Sequence, residues 1–415
     1  MKDLLQKSSQ TSAREPSHFG YIDAVRGLAF LAVITLHASL SVGPFPSKDI
    51  LQGGYGVQLF FLASAITLCN SMSVRKNNDR FPVFDFYLRR FFRIAPLFWC
   101  GIVFYWIFPT VMPAFWLSQW APNGVHPTYF VLTALFLHGW CPYTFNSVVP
   151  GGWSIAVEMT FYIFFPFLFR WLNTPKRAAA TVLVSILYLK ILVHVGFTNS
   201  HSIVDQLRND VYPGVSDFVW NFFLSLWFPA QVPIFLIGFL AYYLLKNDSI
   251  KKFAKDSFWA FCLFLFCIFI LIDLFLGMNT FIPNLLLVGL AFVGIIIALS
   301  GETLWWLTNP VIRYIGKISY SCYLVHFAAL GITLRLFGIR LTNEFQSFDT
   351  GHPFSNLLLF GKIFTVALVL TVAISTLTLH LIENPGIALG KKLIQRINSF
   401  SSKSSQVISK PESAN

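Results

Sequence analysis

Charge is scarce in this chain. Only 12% of its 415 residues are Asp, Glu, Lys or Arg, against 55% hydrophobic residues and a mean hydropathy of +0.64. A water-soluble domain cannot hide that much apolar surface, so the composition predicts an all-α, polytopic membrane protein. Signature loops of several enzyme classes are also missing. There is no G-x-S-x-G elbow, no G-x-x-x-x-G-K-[ST] loop, no H-E-x-x-H and no G-x-G-x-x-G fingerprint. Serine-nucleophile hydrolysis, ATP-driven pumping and metal catalysis lose support, and no metal is expected. The six cysteines have no paired spacing that would suggest disulfides or a metal site. Acidic residues are few, 18 against 30 basic, giving a net charge of +12. That excess invites a nucleic-acid reading, which its distribution rejects.

Apolar runs fill nearly all of the length. The 46 Phe and 12 Trp suit lipid-facing and interfacial positions. We place ten spans near 22–42, 55–73, 93–112, 153–172, 179–197, 220–245, 257–277, 281–300, 314–338 and 361–382. The organisation expected is a disordered cytoplasmic N-terminus (1–20), a membrane domain (21–385) and a cytoplasmic tail (386–415), disordered after Ser399. The first run follows a long polar segment and is long enough to span, so it does not read as a cleaved signal peptide. Basic residues alternate with the spans. One set of ends and loops holds Arg14, Arg75, Arg89, Arg93, Lys176, Lys251, Lys317 and Lys391, among others. The opposite set holds only Lys48, Arg208, Arg335, Arg340 and Lys362. By the positive-inside rule both termini are cytoplasmic, and the basic balance needs no polyanion partner. The count requires residues 129–141 not to cross; they are too short for a relaxed span and fit a re-entrant or interfacial helix.

Three constellations carry chemistry. In YIDAVRGLAFLAVITLHA (21–38), Arg26 and His37 stand eleven positions apart. They therefore share a helix face about 16 Å apart along the axis. Such groups in a span face a cavity or a partner. Ser154, Glu158 and Tyr162 fall at i, i+4 and i+8 on the fourth span. Counting from the outer boundary puts Glu158 level with His37, so Glu158 is expected to orient that imidazole. Arg89, Arg90 and Arg93 gather with Arg26 at the inner mouth, where guanidinium groups suit phosphate, although juxtamembrane arginines are also routine topology signals. Ser319, Tyr323 and His326 share a face of the ninth span. His380 and Glu383 read as interfacial structure.

These pieces, in this order, resemble the acyltransferase-3 family, the integral membrane O-acyltransferases of bacterial surface sugars. The likeness rests on Arg26 with His37, GYGVQLFFLASA (54–65), FYLRRFFRIAP (86–96), WSIAVEMTFY (153–162), PIFLIGFLAYY (233–243), GKISYSCYLVHF (316–327) and IENP (382–385). Gln58 and Met159 stand where relatives carry acidic residues. Some relatives add a soluble hydrolase-like domain, for which this chain is too short.

The resemblance implies transfer of an acyl group, most often acetyl, from cytoplasmic acetyl-CoA or another acyl-CoA to a hydroxyl of a glycan or glycolipid acceptor at the outer face of a bacterial inner membrane. Arg26, Arg89, Arg90 and Arg93 would hold the CoA phosphates, and the thioester would reach up a channel lined by Ser154, Tyr162, Ser319, Tyr323 and His326. His37 would be the base, with Glu158 and Arg26 beside it as catalytic residues. The partners implied are the lipid bilayer and the glycan, with no nucleic acid. A secondary transporter with a buried His/Glu proton-coupling site is the competing reading. It would favour a helix broken at mid-membrane in two related halves, a pattern not seen here.

Overall fold

A computed structural model of the chain describes residues 20–42, 54–111, 116, 119–122, 124–197, 203–275, 284–339 and 349–408. The expected disorder of the N-terminus falls on residues outside this set, apart from Gly20. Among the described residues the elements are helices and no strand is present. They are α1 (Gly20–Ser39), α2 (Gly56–Arg75), α3 (Pro82–Ile107), α4 (Pro127–Ala134), α5 (Gly152–Trp171), α6 (Pro175–Phe197), α7 (Ile203–Val211) and α8 (Asp217–Leu226). Then come α9 (Phe228–Leu244), α10 (Asp248–Lys255), α11 (Ser257–Phe275), α12 (Asn284–Ser300), α13 (Pro310–Lys317), α14 (Ser319–Leu336), α15 (Pro353–Thr378) and α16 (Asn384–Ile408).

The chain is a multi-pass membrane protein. Among the described residues seven helical stretches are long and apolar enough to cross a bilayer, and α13 with α14, bent by 83°, would make an eighth. Helix α12 is apolar but only 17 residues long, and α6 stands where the fifth crossing was expected. Helix α4 has eight residues. At 1.5 Å per residue it reaches about 12 Å and cannot cross, as the re-entrant reading of 129–141 requires.

Helix α1 lies at the centre. It packs against α2, α12, α13, α14 and α15. Small residues permit the closest of these contacts. A Cβ on Gly27 would run into the carbonyl of Ile312 on α13, and one on Gly316 into the carbonyl of Asp23 on α1. Two glycines facing opposite ways across one crossing let the backbones touch, the usual device where lipid offers helices no hydrophobic drive to associate.

The C-terminal expectation needs correction. Helix α16 follows α15 through a π-helical segment, Leu379–Glu383, and continues to Ile408, past the point where disorder was predicted. Buried Glu383, Gly386, Gly390 and Ile394 recur at helical spacing. Gly386 and Gly390 face Phe92 and Pro96 of α3. Two of the four buried positions are glycines, so no apolar stripe marks this helix in the sequence.

Candidate functional site

Four helices build a polar column: α1 supplies Arg26 and His37, α3 supplies Arg90 and Arg93, α5 supplies Ser154, Glu158 and Tyr162, and α14 supplies Ser319, Tyr320, Tyr323 and His326. The spacings explain the alignment. Positions i, i+4 and i+8 of α5 lie on one face, as do i, i+4 and i+7 of α14.

At one end His37 sits two residues from the end of α1. Its ring centre is 5.1 Å from that of His326 and 4.5 Å from Phe327, which meets it edge-on. His37 Nδ1 donates to the carbonyl of Val33 at 2.9 Å, and His326 Nδ1 donates to that of Tyr323 at 2.6 Å. His326 is fully buried, whereas His37 is half-buried. Next along the column, the Tyr323 hydroxyl and the Ser154 hydroxyl both donate to the carbonyl of Gly151, each at 3.1 Å. Gly151 caps α5 at φ +73°, a left-handed conformation in which glycine carries no steric cost.

One helical turn further, Glu158 Oε1 accepts hydrogen bonds from the Ser64 hydroxyl and, at 2.6 Å, from the Tyr162 hydroxyl. Beyond it lie the arginines. Arg26 donates to Thr67 Oγ1 at 3.1 Å and pairs loosely with Asp23 at 3.8 Å. The Arg90 guanidinium lies 5.9 Å from the ring centres of both Phe86 and Tyr162. Arg26 and Arg90 are within electrostatic reach of each other, of Arg93 and of Glu158. Among the described residues neither Arg90 nor Arg93 forms an ion pair, and Arg90 Nε is buried without a hydrogen bond. Tyr320 donates to the carbonyl of Ile94 at 2.7 Å, holding α14 against α3 beside this cluster. Ser319 is buried at the start of α14.

Two expectations change. Glu158 does not bond to His37; its hydrogen bonds go to Ser64 and Tyr162, in the arginine layer. The depth count failed because α1 ends at Ser39 rather than residue 42. His37 is therefore about 3 Å from its helix end, while Glu158 is about 9 Å inside α5. Arg89 also stands apart, paired with Asp79 at 2.7 Å outside the column.

Other residues were missed. Ser64 and Thr67 are ordinary small polar residues in an apolar helix, with no signal beyond their fit to one face of α2. Glu383, read as interfacial, is 2% exposed, bonded to Ser321 and within reach of Arg93 and Tyr320. Its signal was a carboxylate beside an apolar span; the π-helical turn that carries it, a feature frequent at functional sites, is not visible in sequence. Gln58 is buried and donates to Gln231 at 2.9 Å, and Gln231 in turn donates to the carbonyl of Ser225 at 2.8 Å. That pair clamps α2 to α9.

The sequence model of the family described as "Acyltransferase domain" matches residues 19–379. The chain is 26% identical over 352 residues to peptidoglycan O-acetyltransferase OatA of Listeria monocytogenes, covering 79% of this chain and 51% of that protein. It is 26% identical over 335 residues to a putative O-acetyltransferase of Staphylococcus aureus, covering 74% and 50%. It is 24% identical over 386 residues to the putative peptidoglycan O-acetyltransferase YrhL of Bacillus subtilis, covering 89% and 55%. The chain thus spans about half the length of the curated relatives it matches. No solved structure matches it.

Proposed function

The chain belongs to the acyltransferase-domain family, and on that premise we propose that it moves an acetyl group from cytoplasmic acetyl-CoA to a hydroxyl of a cell-surface glycan. Peptidoglycan is the acceptor favoured by the names of the relatives. The observation that carries the reading is the column itself: one run of polar side chains joins Arg90 and Arg93, which form no ion pair among the described residues, to an imidazole whose Nδ1 is held by its own helix.

Arg90 and Arg93, with Arg26 behind them, bind the CoA phosphates. Among the described residues Arg90 and Arg93 form no ion pair, and guanidinium groups pair with phosphate through two parallel hydrogen bonds. Glu158, Ser64 and Tyr162 hold that cluster in place. His37 is the base. Its Nδ1 carries a proton because it faces a carbonyl, so its Nε2 presents the lone pair. The acceptor O–H bond breaks and its proton goes to Nε2. The oxygen keeps the electron pair and bonds to the thioester carbonyl carbon. The C–S bond then breaks, sulfur takes that electron pair, and the proton passes from His37 to the thiolate. The products are the O-acetyl glycan and free CoA. Phe327, edge-on to His37 at 4.5 Å, shields one side of the imidazole from water, which limits wasteful thioester hydrolysis.

The test compares surface glycans from cells carrying the wild-type chain and the His37→Ala variant by mass spectrometry. The wild type should show an acetyl-sized mass increment that the variant lacks at equal protein level and membrane insertion. An acetylated glycan in the variant refutes the assigned base.

A further inference from the structure

The mechanism above uses one imidazole, but the column holds two. His326 donates from Nδ1 to a carbonyl, so in its neutral form its Nε2 also carries a lone pair. That Nε2 is buried and has no hydrogen-bond partner. Buried polar atoms are nearly always bonded, so an orphan beside a reactive group calls for an explanation. The Tyr323 hydroxyl cannot supply the missing proton, since it already donates to Gly151, although its ring is only 5.6 Å away. Phe30 and Phe327 also flank His326, with ring centres at 6.0 and 4.2 Å. His37 is the other polar ring, and it too offers a lone pair. His326 Nε2 is thus a buried acceptor with no donor among the described residues to satisfy it, in a ring whose centre lies 5.1 Å from that of His37.

From this geometry, and resting on the assignment of His37 as base, we infer that His326 is the second half of that base: the proton taken from the acceptor hydroxyl is shared between the Nε2 atoms of His37 and His326. Once His37 Nε2 is protonated it becomes a donor, and His326 Nε2 is the acceptor waiting for it. The imidazolium formed in a ring-lined site gains a hydrogen bond that the resting state lacks, so the interaction strengthens as the reaction proceeds, which is the condition for accelerating it. The proton then leaves with the CoA thiolate. His326 begins and ends neutral, and no further acid or base is required. The second ring also distinguishes the two ends of α14: Tyr320 and Tyr323 donate their hydroxyl protons to carbonyls of neighbouring segments, whereas His326 keeps a lone pair in reserve.

Substitutions separate this role from packing. His326→Asn keeps a donor near Nδ1 for the Tyr323 carbonyl but removes the distant acceptor. His326→Gln places an amide near Nε2 whose oxygen accepts a hydrogen bond but does not take up a proton. Thiol release from acetyl-CoA is measured in native membranes carrying the chain's own acceptor, with protein level and melting temperature as folding controls. The expected result is a maximal rate lower by about 10- to 100-fold for Asn, with KM for acetyl-CoA within about two-fold, and an intermediate rate for Gln. In a His37→Ala background, read over long incubations, His326→Asn should cost less than about two-fold more, because partners acting as one unit are not additive. Wild-type rates for Asn and Gln overturn the inference, as does an equal loss in both backgrounds or a change confined to KM. If the Asn variant fails to accumulate, the Gln variant decides alone: a wild-type rate overturns sharing, and a lower rate at unchanged KM supports it. An inactive His37→Ala with a fully active His326→Asn removes only the shared proton; a fully active His37→Ala removes the base assignment as well.

Discussion

The two ends of the column solve opposite problems. Around His37 and His326 the neighbours are rings, and both imidazoles spend one nitrogen on a carbonyl of their own helix. Around Arg26, Arg90 and Arg93 the neighbours are carboxylates, hydroxyls and the faces of aromatic rings. A neutral group that must accept a proton is best kept in a dry, fixed setting. Charged groups that must recognise an anion survive burial only with counter-charges and donors nearby. Helix α1 carries one member of each kind, His37 near its end and Arg26 about three turns away, with His326 of α14 beside the first and Arg90 and Arg93 of α3 beside the second. On the proposed roles, binding and chemistry are separable along that axis, and each end should fail in its own way.

The largest expected effect is at the imidazole end. His37→Ala should lower the maximal rate by about 10²- to 10⁴-fold, the range of general base catalysis, and leave KM for acetyl-CoA within about two-fold. Initial rates of thiol release over a range of donor concentrations check this. A rise in KM without loss of maximal rate would erase the distinction between the ends.

The arginine end should show the reverse. Arg90→Ala and Arg93→Ala should each raise KM for acetyl-CoA by about 10-fold or more, since a hydrogen bond to a charged group contributes roughly 1.5–3 kcal/mol. Arg89→Ala should change it by less than about two-fold, because Arg89 is engaged by Asp79 and stands outside the column. Equal effects of all three would mean that the pairing with Asp79 does not set Arg89 apart.

Glu158 sharpens the comparison, because the sequence assigned it to one end and the structure places it at the other. Glu158→Gln keeps an oxygen to accept from Ser64 and Tyr162 but removes the charge facing the arginines. Its effect should fall on donor KM, by a few-fold to about 10-fold, with maximal rate largely retained. A loss of maximal rate alone would return Glu158 to the imidazole.

This reversal marks what the sequence made legible. Helical period alone identified the faces: Arg26 with His37, Ser154 with Glu158 and Tyr162, Ser319 with Tyr323 and His326. It did so because an ionisable or hydroxyl group in an apolar span is conspicuous, and the polar faces of α1, α5 and α14 meet in the structure. What period cannot give is the axial offset between helices, which depends on where each one ends. Three residues of misplaced terminus on α1 moved the inferred partner of His37 by a full turn. Nor does it reveal partners that look ordinary, such as Ser64, or a helix whose buried positions are glycines, as in α16.

The remaining prediction concerns which way the column points, and its direct effect on activity is nil. A reporter fused after residue 146 lies between the short helix α4 and the start of α5. Helix α4 is too short to cross, so the chain should return to the side from which α3 delivered it, and basic residues flank the opposite ends of α3 and α5. The fusion should therefore read as external, and one after Asn247, beside α10 with Lys251 and Lys252, as cytoplasmic. That outcome sets the arginines on the side where acyl-CoA is made and the imidazoles on the side where the glycan lies. A cytoplasmic reading at 146 would exchange the two ends, leaving the phosphate site facing a compartment without CoA, and the division of labour along α1 would need another donor.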